Sequence, residues 1–325
     1  MDGILPLAVN NLTSPMILSF ALGLAAALAR SDLSVPEAAA KALSLYLLFS
    51  IGYKGGVAVA EHGAGADLLG SVGAGIVLSF ALPIIAYALL GALTRLDPTD
   101  RAAVAAHYGS ISIVTFVTGT AVLQSAGIAA EGYMVAVAAA MEAPAIVSAL
   151  WLATRGGGAR PADAVLWREI LLNGSIVLLV GAFFIGIVTG PAGMAEIEAF
   201  IIAPFKGVLC LFLLDMGLVA GRGLRQSRGV LTWGLVLFGA LMPAIGAASG
   251  LAAGMLLGLS AGGTALFMTL AASASYIAVP AAMRVALPEA NPAVYVTLAL
   301  GVTFPFNLAV GIPLWVAIAT ALSGG

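Results

Sequence analysis

The sequence predicts an all-α integral membrane protein of about ten transmembrane helices, built as two inverted five-helix repeats with broken helices near the midplane. Three observations predict it. First, 62% of the 325 residues are hydrophobic and only 9% are charged, whereas a soluble domain is about 45–50% apolar and about 25% charged. So few charges cannot coat a water-facing surface, and lipid must be the solvent over most of the outside. Second, apolar runs of about 20 residues, the length that crosses a bilayer core, recur about ten times. Third, the basic residues fall almost entirely on one side of those runs. The net charge of −2 gives no footprint for nucleic acid, and a single cysteine, Cys210, excludes an internal disulfide.

The predicted spans are 13–30, 34–54, 66–94, 102–125 and 129–154, then 169–190, 197–220, 230–256, 262–285 and 290–321. The first reads as a helix rather than a signal peptide, because no basic segment precedes it and no clear cleavage site follows. Gly and Pro inside the runs are compatible with helix, since neighbouring helices can satisfy freed backbone groups. Eleven of the thirteen Lys and Arg lie at the turns that join odd to even spans, from Arg30 to Arg284. The opposite side carries only Lys54 and Lys206, whose ammonium groups are expected to snorkel outward. The positive-inside rule then places the 155–168 linker in the cytoplasm and both termini outside, in a multi-pass protein of the inner cell membrane.

Five spans per half require the second half to insert upside down. Residues 1–160 form the first repeat and 161–325 the second, joined through the flexible Arg155-Gly-Gly-Gly-Ala-Arg160-Pro161 segment. Four matches recur at nearly one offset. Gly23 pairs with Gly186, and Ser110-Ile-Ser112 with Ser273-Ala-Ser275, each 163 residues apart. The Gly52–Gly55 segment pairs with Gly217–Ala220, and Gly75–Pro83 with Gly234–Pro243. Inverted repeats are a signature of secondary transporters, whose substrate sites lie near the midplane where the halves meet. A separate ladder, Gly246, Gly250, Gly254 and Gly258, marks a face for close helix packing.

The candidate chemistry lies in two clusters at repeat-related, mid-bilayer positions. The fourth span reads His107-Tyr108-Gly109-Ser110-Ile111-Ser112-Ile113-Val114-Thr115, and the ninth Ser273-Ala274-Ser275-Tyr276 up to Pro280. Gly, Pro and β-branched residues weaken the helix there, while hydroxyls offer replacement hydrogen bonds. A broken helix presents N–H groups and a positive dipole end to an anion, and carbonyls to a cation. Gly109, Ser110, Ser112, Thr115, Ser273, Ser275 and Tyr276 are the candidate substrate contacts. Ser and Thr at such positions also serve simply to bond their own helix. Glu142, in Met141-Glu142-Ala143-Pro144 midway along the fifth span, is the candidate for cation or proton coupling, because an ionisable group at that depth faces a cavity or a partner. The structural alternative is a protonated Glu142 bonded to a carbonyl freed by Pro144. Asn307, beside Pro305, is a further coupling candidate or an interhelical hydrogen bond. Asp215 and Arg222 read as an interfacial ion pair, and His107 as a wet interfacial histidine.

An enzyme is not indicated: HExxH, GxSxG and Cys/His metal motifs are missing from the sequence, and Asp97 and Asp100 form a lone DxxD. No cofactor is called for beyond a coupling Na⁺. The chain resembles the sodium-dependent bicarbonate transporters of carbon-concentrating photosynthetic bacteria almost end to end. The residues that carry the resemblance are Ala271 to Pro280, Arg284, Pro288, Ala290-Asn-Pro-Ala-Val-Tyr295 and Gly311-Ile-Pro-Leu314. Ile51-Gly52, Gly55-Gly56, Tyr108-Gly109, Ser112, Thr115 and Met141-Glu142-Ala143-Pro144 also match, the family carrying Asp in the last motif. The resemblance implies a core and a gate domain interleaved between the repeats, a homo-oligomer of trimeric form, and Na⁺-coupled uptake of bicarbonate. The chain departs from the family pattern in three places. Tyr276 stands where the family carries Asp, Ile113 and Val114 replace Gly and Ser, and the insert between the halves is only about fifteen residues, which argues against a PII-type regulator docking there. H⁺-coupled or uncoupled transport of a small carboxylate or other anion, and a non-transporting membrane sensor on the same fold, remain the alternatives.

Overall fold

The computed structural model describes residues 13–63, 65–155, 168, 172, 174–226 and 231–323. Among these, the regular structure is entirely helical. The helices are α1 (Pro15–Leu28), α2 (Glu37–His62), α3 (Ala66–Leu93), α4 (Pro98–His107), α5 (Ile113–Ser125), α6 (Met134–Ala140) and α7 (Glu142–Arg155). They continue with α8 (Gly174–Ile201), α9 (Phe205–Gln226), α10 (Trp233–Leu256), α11 (Ala261–Ala271), α12 (Ala278–Ala286) and α13 (Pro292–Leu298). The last is α14 (Ile312–Ser323). Seven helical stretches of the described residues are long and apolar enough to cross a membrane, and α1, α5 and α11 are shorter apolar helices. The termini and the linker that the sequence reading places outside and in the cytoplasm fall outside the described residues.

Sequence chemistry accounts for the helix ends. Asp97 caps α4 by accepting from the N–H groups of Thr99 and Asp100, so half of the DxxD is a helix cap. Its other half, Asp100, accepts from the Asn291 N–H at 2.7 Å and ties the start of α4 to the start of α13. Ser112 caps α5, Ser260 caps α11 and Thr232 caps α10 through their hydroxyls.

Glycines set the closest helix contacts. Helix α1 packs along α9 and α2 along α8. A Cβ at Gly23 would strike the Leu214 carbonyl, and one at Gly217 the Phe20 carbonyl. Across the other pair, Cβ atoms at Gly56 and Gly186 would strike the carbonyls of Phe183 and Tyr53. Backbones approach this closely only where a side chain is missing. The ladder on α10 behaves likewise at three of its four positions: Gly246, Gly250 and Gly254 lie against Ala271, Phe267 and Thr264 of α11. Gly258 does not. It sits past the end of α10 with φ of 66° and nothing within 4 Å of its Cβ position, so it serves as a left-handed helix stop.

Three of the predicted spans are interrupted, two of them at the clusters where the sequence reading expects broken helices. The chain is non-helical between α4 and α5 at 108–112 and between α11 and α12 at 272–277, where the two serine clusters lie. A third interruption, at Met141 between α6 and α7, divides the predicted 129–154 span. From Pro292 to Ser323 the chain is continuous but carries two π-helical turns, Ala299–Thr303 and Asn307–Gly311, flanking Phe304–Phe306. Pro305 has no N–H to give to the ladder, and the wider turns accommodate that loss.

Candidate functional site

The two serine-bearing interruptions meet. The Ser112 N–H donates to the Ser273 hydroxyl at 2.8 Å, and the Ser275 N–H donates to the His107 carbonyl at 2.7 Å. Each break thus supplies the hydrogen bond the other has lost to its own helix. The Ser273 hydroxyl passes its own proton to the Leu270 carbonyl at 2.8 Å. The Ser112 hydroxyl accepts from the Thr115 N–H at 3.2 Å, and the Ser275 hydroxyl from the Val279 N–H at 3.4 Å.

Glu142 joins the same cluster. Its carboxylate accepts from the Ser110 hydroxyl, and it is 2% exposed. The Met141 carbonyl freed by the third break accepts from the Ser79 hydroxyl at 2.5 Å. Ser79, in the Gly75–Pro83 motif, is therefore a supporting residue that sequence reading did not single out. Asn307 donates through Nδ2 to the Ala272 carbonyl at 2.8 Å, and its Oδ1 has no partner among the described residues.

A narrow cavity lies at the junction. Ser112, Ser275, Tyr276 and Glu142 line it, with Ser44 from α2 and Phe212 from α9 closing the other side. It holds about 20 Å³ for the centres of water-sized molecules, room for a water or a bare ion. The helices α5 and α12 both begin at its wall, through Ile113 and Ala278. Two positive dipole ends and one carboxylate therefore share a small enclosed space, a combination that can hold an anion and a cation together.

Six of the nine candidate residues contact this junction through their own polar groups: Ser110, Ser112, Ser273, Ser275, Glu142 and Asn307. The other three play different parts. Gly109 is a packing position, since a Cβ there would strike Pro83 and the Ser79 carbonyl of α3. Thr115 is buried one turn into α5, and its backbone N–H, not its hydroxyl, makes the bond to Ser112. Tyr276 lines the cavity with its ring edge-on to Phe304 at 5.3 Å, and its hydroxyl is buried without a hydrogen-bond partner among the described residues.

One sequence reading needs correction. His107 is fully buried rather than wet: its Nδ1 lies 2.6 Å from the Ala103 carbonyl and its ring packs on Tyr295 at 4.6 Å. Arg222 and Arg225 give guanidinium N–H groups to the carbonyls of Leu33 and Ala27, so they hold the end of α1 and the segment that follows it, while the Arg222 charge also acts on Asp215, as the sequence reading expects. The Lys54 ammonium lies 4.4 Å over the Phe205 ring. Thr303 was not legible from sequence as a linchpin. It exchanges a hydrogen bond with the Tyr108 hydroxyl at 2.6 Å and donates to the Gly239 carbonyl at 2.9 Å.

No curated protein matches the chain. Residues 15–320, nearly the whole sequence and all of the junction just described, match the family described as the Na⁺-dependent bicarbonate transporter superfamily, and the chain belongs to that superfamily.

Proposed function

We propose that this chain is a secondary transporter that carries bicarbonate or a similar small anion together with Na⁺. Membership of a transporter family makes it a carrier and not an enzyme. The observation that carries the finer reading is the junction itself. Two helix breaks related by 163 residues bond to each other reciprocally, and two helix N-termini and Glu142 face one cavity. N-termini attract the anion, and a carboxylate with nearby hydroxyls suits a hard cation such as Na⁺. At about 20 Å³ the cavity is too small for bicarbonate, so loading requires the surrounding helices to part, as alternating access demands.

The inverted ten-span arrangement, with repeats 1–160 and 161–325, draws support from the glycine seams. Gly23 and Gly186, one repeat apart, make equivalent contacts: each lies on a carbonyl of the long helix from the opposite half. In this reading α1, α2, α8 and α9 form the gate and the remaining helices the core. Both termini face outside the inner membrane, and the protein assembles as a trimer. The short linker argues against a PII-type regulator docking there. A second reading, H⁺ coupling, is favoured by one observation: Tyr276 replaces the family's Asp, so Glu142 is the one carboxylate at the cavity.

Uptake of labelled bicarbonate into proteoliposomes, with and without an inward Na⁺ gradient, tests the proposal. Na⁺-dependent accumulation is expected. Accumulation driven only by a pH gradient would select H⁺ coupling, and binding without uptake would make the chain a sensor.

A further inference from the structure

The cavity at the serine junction has a neighbour on the same helices. It is walled by α2, α5 and α9 through Leu47 and Leu48, Val114 and Val117, and Phe212. A second cavity of about 170 Å³ lies on the same three helices farther along each: Ile51 and Lys54 of α2, Phe116, Thr120 and Gln124 of α5, and Phe205 of α9. Ala58, Ala130, Glu131 and Gly132 line both this cavity and a wider cleft of about 530 Å³ that reaches Gly63 and Ser260 at the ends of their helices. The cleft and the second cavity thus share a wall, and the second cavity and the serine junction lie along the same three helices, a seam that the sequence-derived topology runs from the outer face toward the midplane.

The basic residues on that face converge on the seam. Only two of the thirteen Lys and Arg lie on this side of the sequence-derived topology. Lys54 projects into the second cavity, half-buried, with the Phe205 ring beneath its ammonium. Lys206, next to Phe205, donates to the Ser125 hydroxyl at 3.0 Å, one residue beyond Gln124. The carboxylates in the neighbourhood do not neutralise Lys54. Glu131 accepts from the Ser260 N–H at 2.7 Å and the Ser260 hydroxyl at 2.9 Å. Asp67 lies in the wider cleft, away from the Lys54 cavity. Glu131 lines the same cavity but is held by Ser260, and among the described residues no carboxylate forms an ion pair with Lys54; an ammonium held in a partly desolvated cavity over an aromatic face without such a pair is a site that a small anion completes. Gln124 and Thr120 on the facing wall supply further hydrogen-bonding groups.

We infer that Lys54 forms a first binding site for the small anion, an outer station that a monovalent oxyanion occupies before it reaches the serine junction. The inference rests on the transport reading above for its place in the cycle, though not for the binding itself. Lys54 acts as a positioning group: it concentrates the anion on the seam and is absent from the junction where the ion would be held between the two breaks.

Two measurements test it. In the first, purified wild-type protein is treated with an amine-reactive reagent, and acylation of Lys54 is followed by mass spectrometry. Bicarbonate, formate or chloride is added while gluconate holds ionic strength constant. Saturable protection of Lys54, with Lys41 unprotected as an internal control, is expected; equal labelling of Lys54 with and without every anion overturns the site. This arm does not depend on transport, so failure of bicarbonate uptake in the wild type would count against the function proposed above and leave this result standing. In the second, Lys54→Met and Lys54→Arg are compared in proteoliposomes. Methionine keeps the apolar stem over Phe205 and should raise the KM for the anion about ten-fold with kcat nearly unchanged, while arginine restores the KM. A Lys54→Met protein with wild-type KM, or one whose kcat falls with KM unchanged, refutes an outer anion station.

Discussion

Replacing Glu142 by glutamine is the most direct probe of the junction. Glu142 is 2% exposed, accepts from the Ser110 hydroxyl and lines the cavity shared by Ser112 and Ser275. Glutamine keeps the shape and leaves an amide oxygen for Ser110, so the fold and the helix break should survive. The charge is what is lost. A hydrogen bond to a charged acceptor contributes about 1.5–3 kcal/mol against about 0.5–1.5 for a neutral one, a difference of about 1.4 kcal/mol or ten-fold. A cation about 4 Å from the carboxylate gains about 4 kcal/mol at an effective dielectric of about 20, close to a thousand-fold. The apparent Na⁺ affinity for uptake should therefore fall between about ten-fold and a thousand-fold, with the detergent-solubilised protein melting within a few degrees of the wild type. The assay is bicarbonate uptake against a Na⁺ titration in proteoliposomes, with a parallel pH titration. Unchanged uptake with unchanged dependence on both ions would refute the coupling role and leave Glu142 as a neutral structural group.

Ser273→Ala removes the acceptor of the Ser112 N–H. An orphaned buried donor costs about 1–3 kcal/mol, so a lower melting temperature and reduced uptake are expected; an unchanged melting curve would show that the two breaks are not held by this bond. Gly246→Leu drives a side chain into the Ala271 carbonyl and should abolish monodisperse protein on size-exclusion chromatography. Gly181→Leu, with nothing within 4 Å of its Cβ position, should purify normally. Tyr276→Phe deletes a buried hydroxyl that has no hydrogen-bond partner among the described residues; stability should hold or rise by up to about 1 kcal/mol, while a raised KM for bicarbonate would mark the hydroxyl as a substrate contact.

The serine clusters were legible because residue types that weaken helices coincide there with hydroxyls that can replace lost hydrogen bonds, and because they recur at a fixed offset. Glu142 stood out by the energetic cost of its depth. What the sequence hid is how the breaks are completed. The interruption at Met141 carries one composition signal, Pro144 three residues on, which reads as freeing a single carbonyl and not as dividing the span; the break is completed from outside, by Ser79 of α3. Gly109 looks like a site glycine in sequence and is instead the place where α3 presses closest, through Pro83. His107 reads as wet because it closes its helical segment, and what covers it is Tyr295, far away in sequence. Lys54 read as a snorkelling anchor because its distance from the membrane face was legible, while the cavity beside Phe205 depends on three helices meeting.

The reciprocal bonds between the breaks bear on leakage. A site assembled from exposed N–H and carbonyl groups would, when empty, recruit a file of water to satisfy them, and such a file conducts protons. Here the Ser112 N–H already has the Ser273 oxygen and the Ser275 N–H already has the His107 carbonyl. These two donors are thus quenched from within, and an ion that binds them must displace their protein partners. That exchange lowers affinity, and in return these two donors recruit no water of their own to a conducting file.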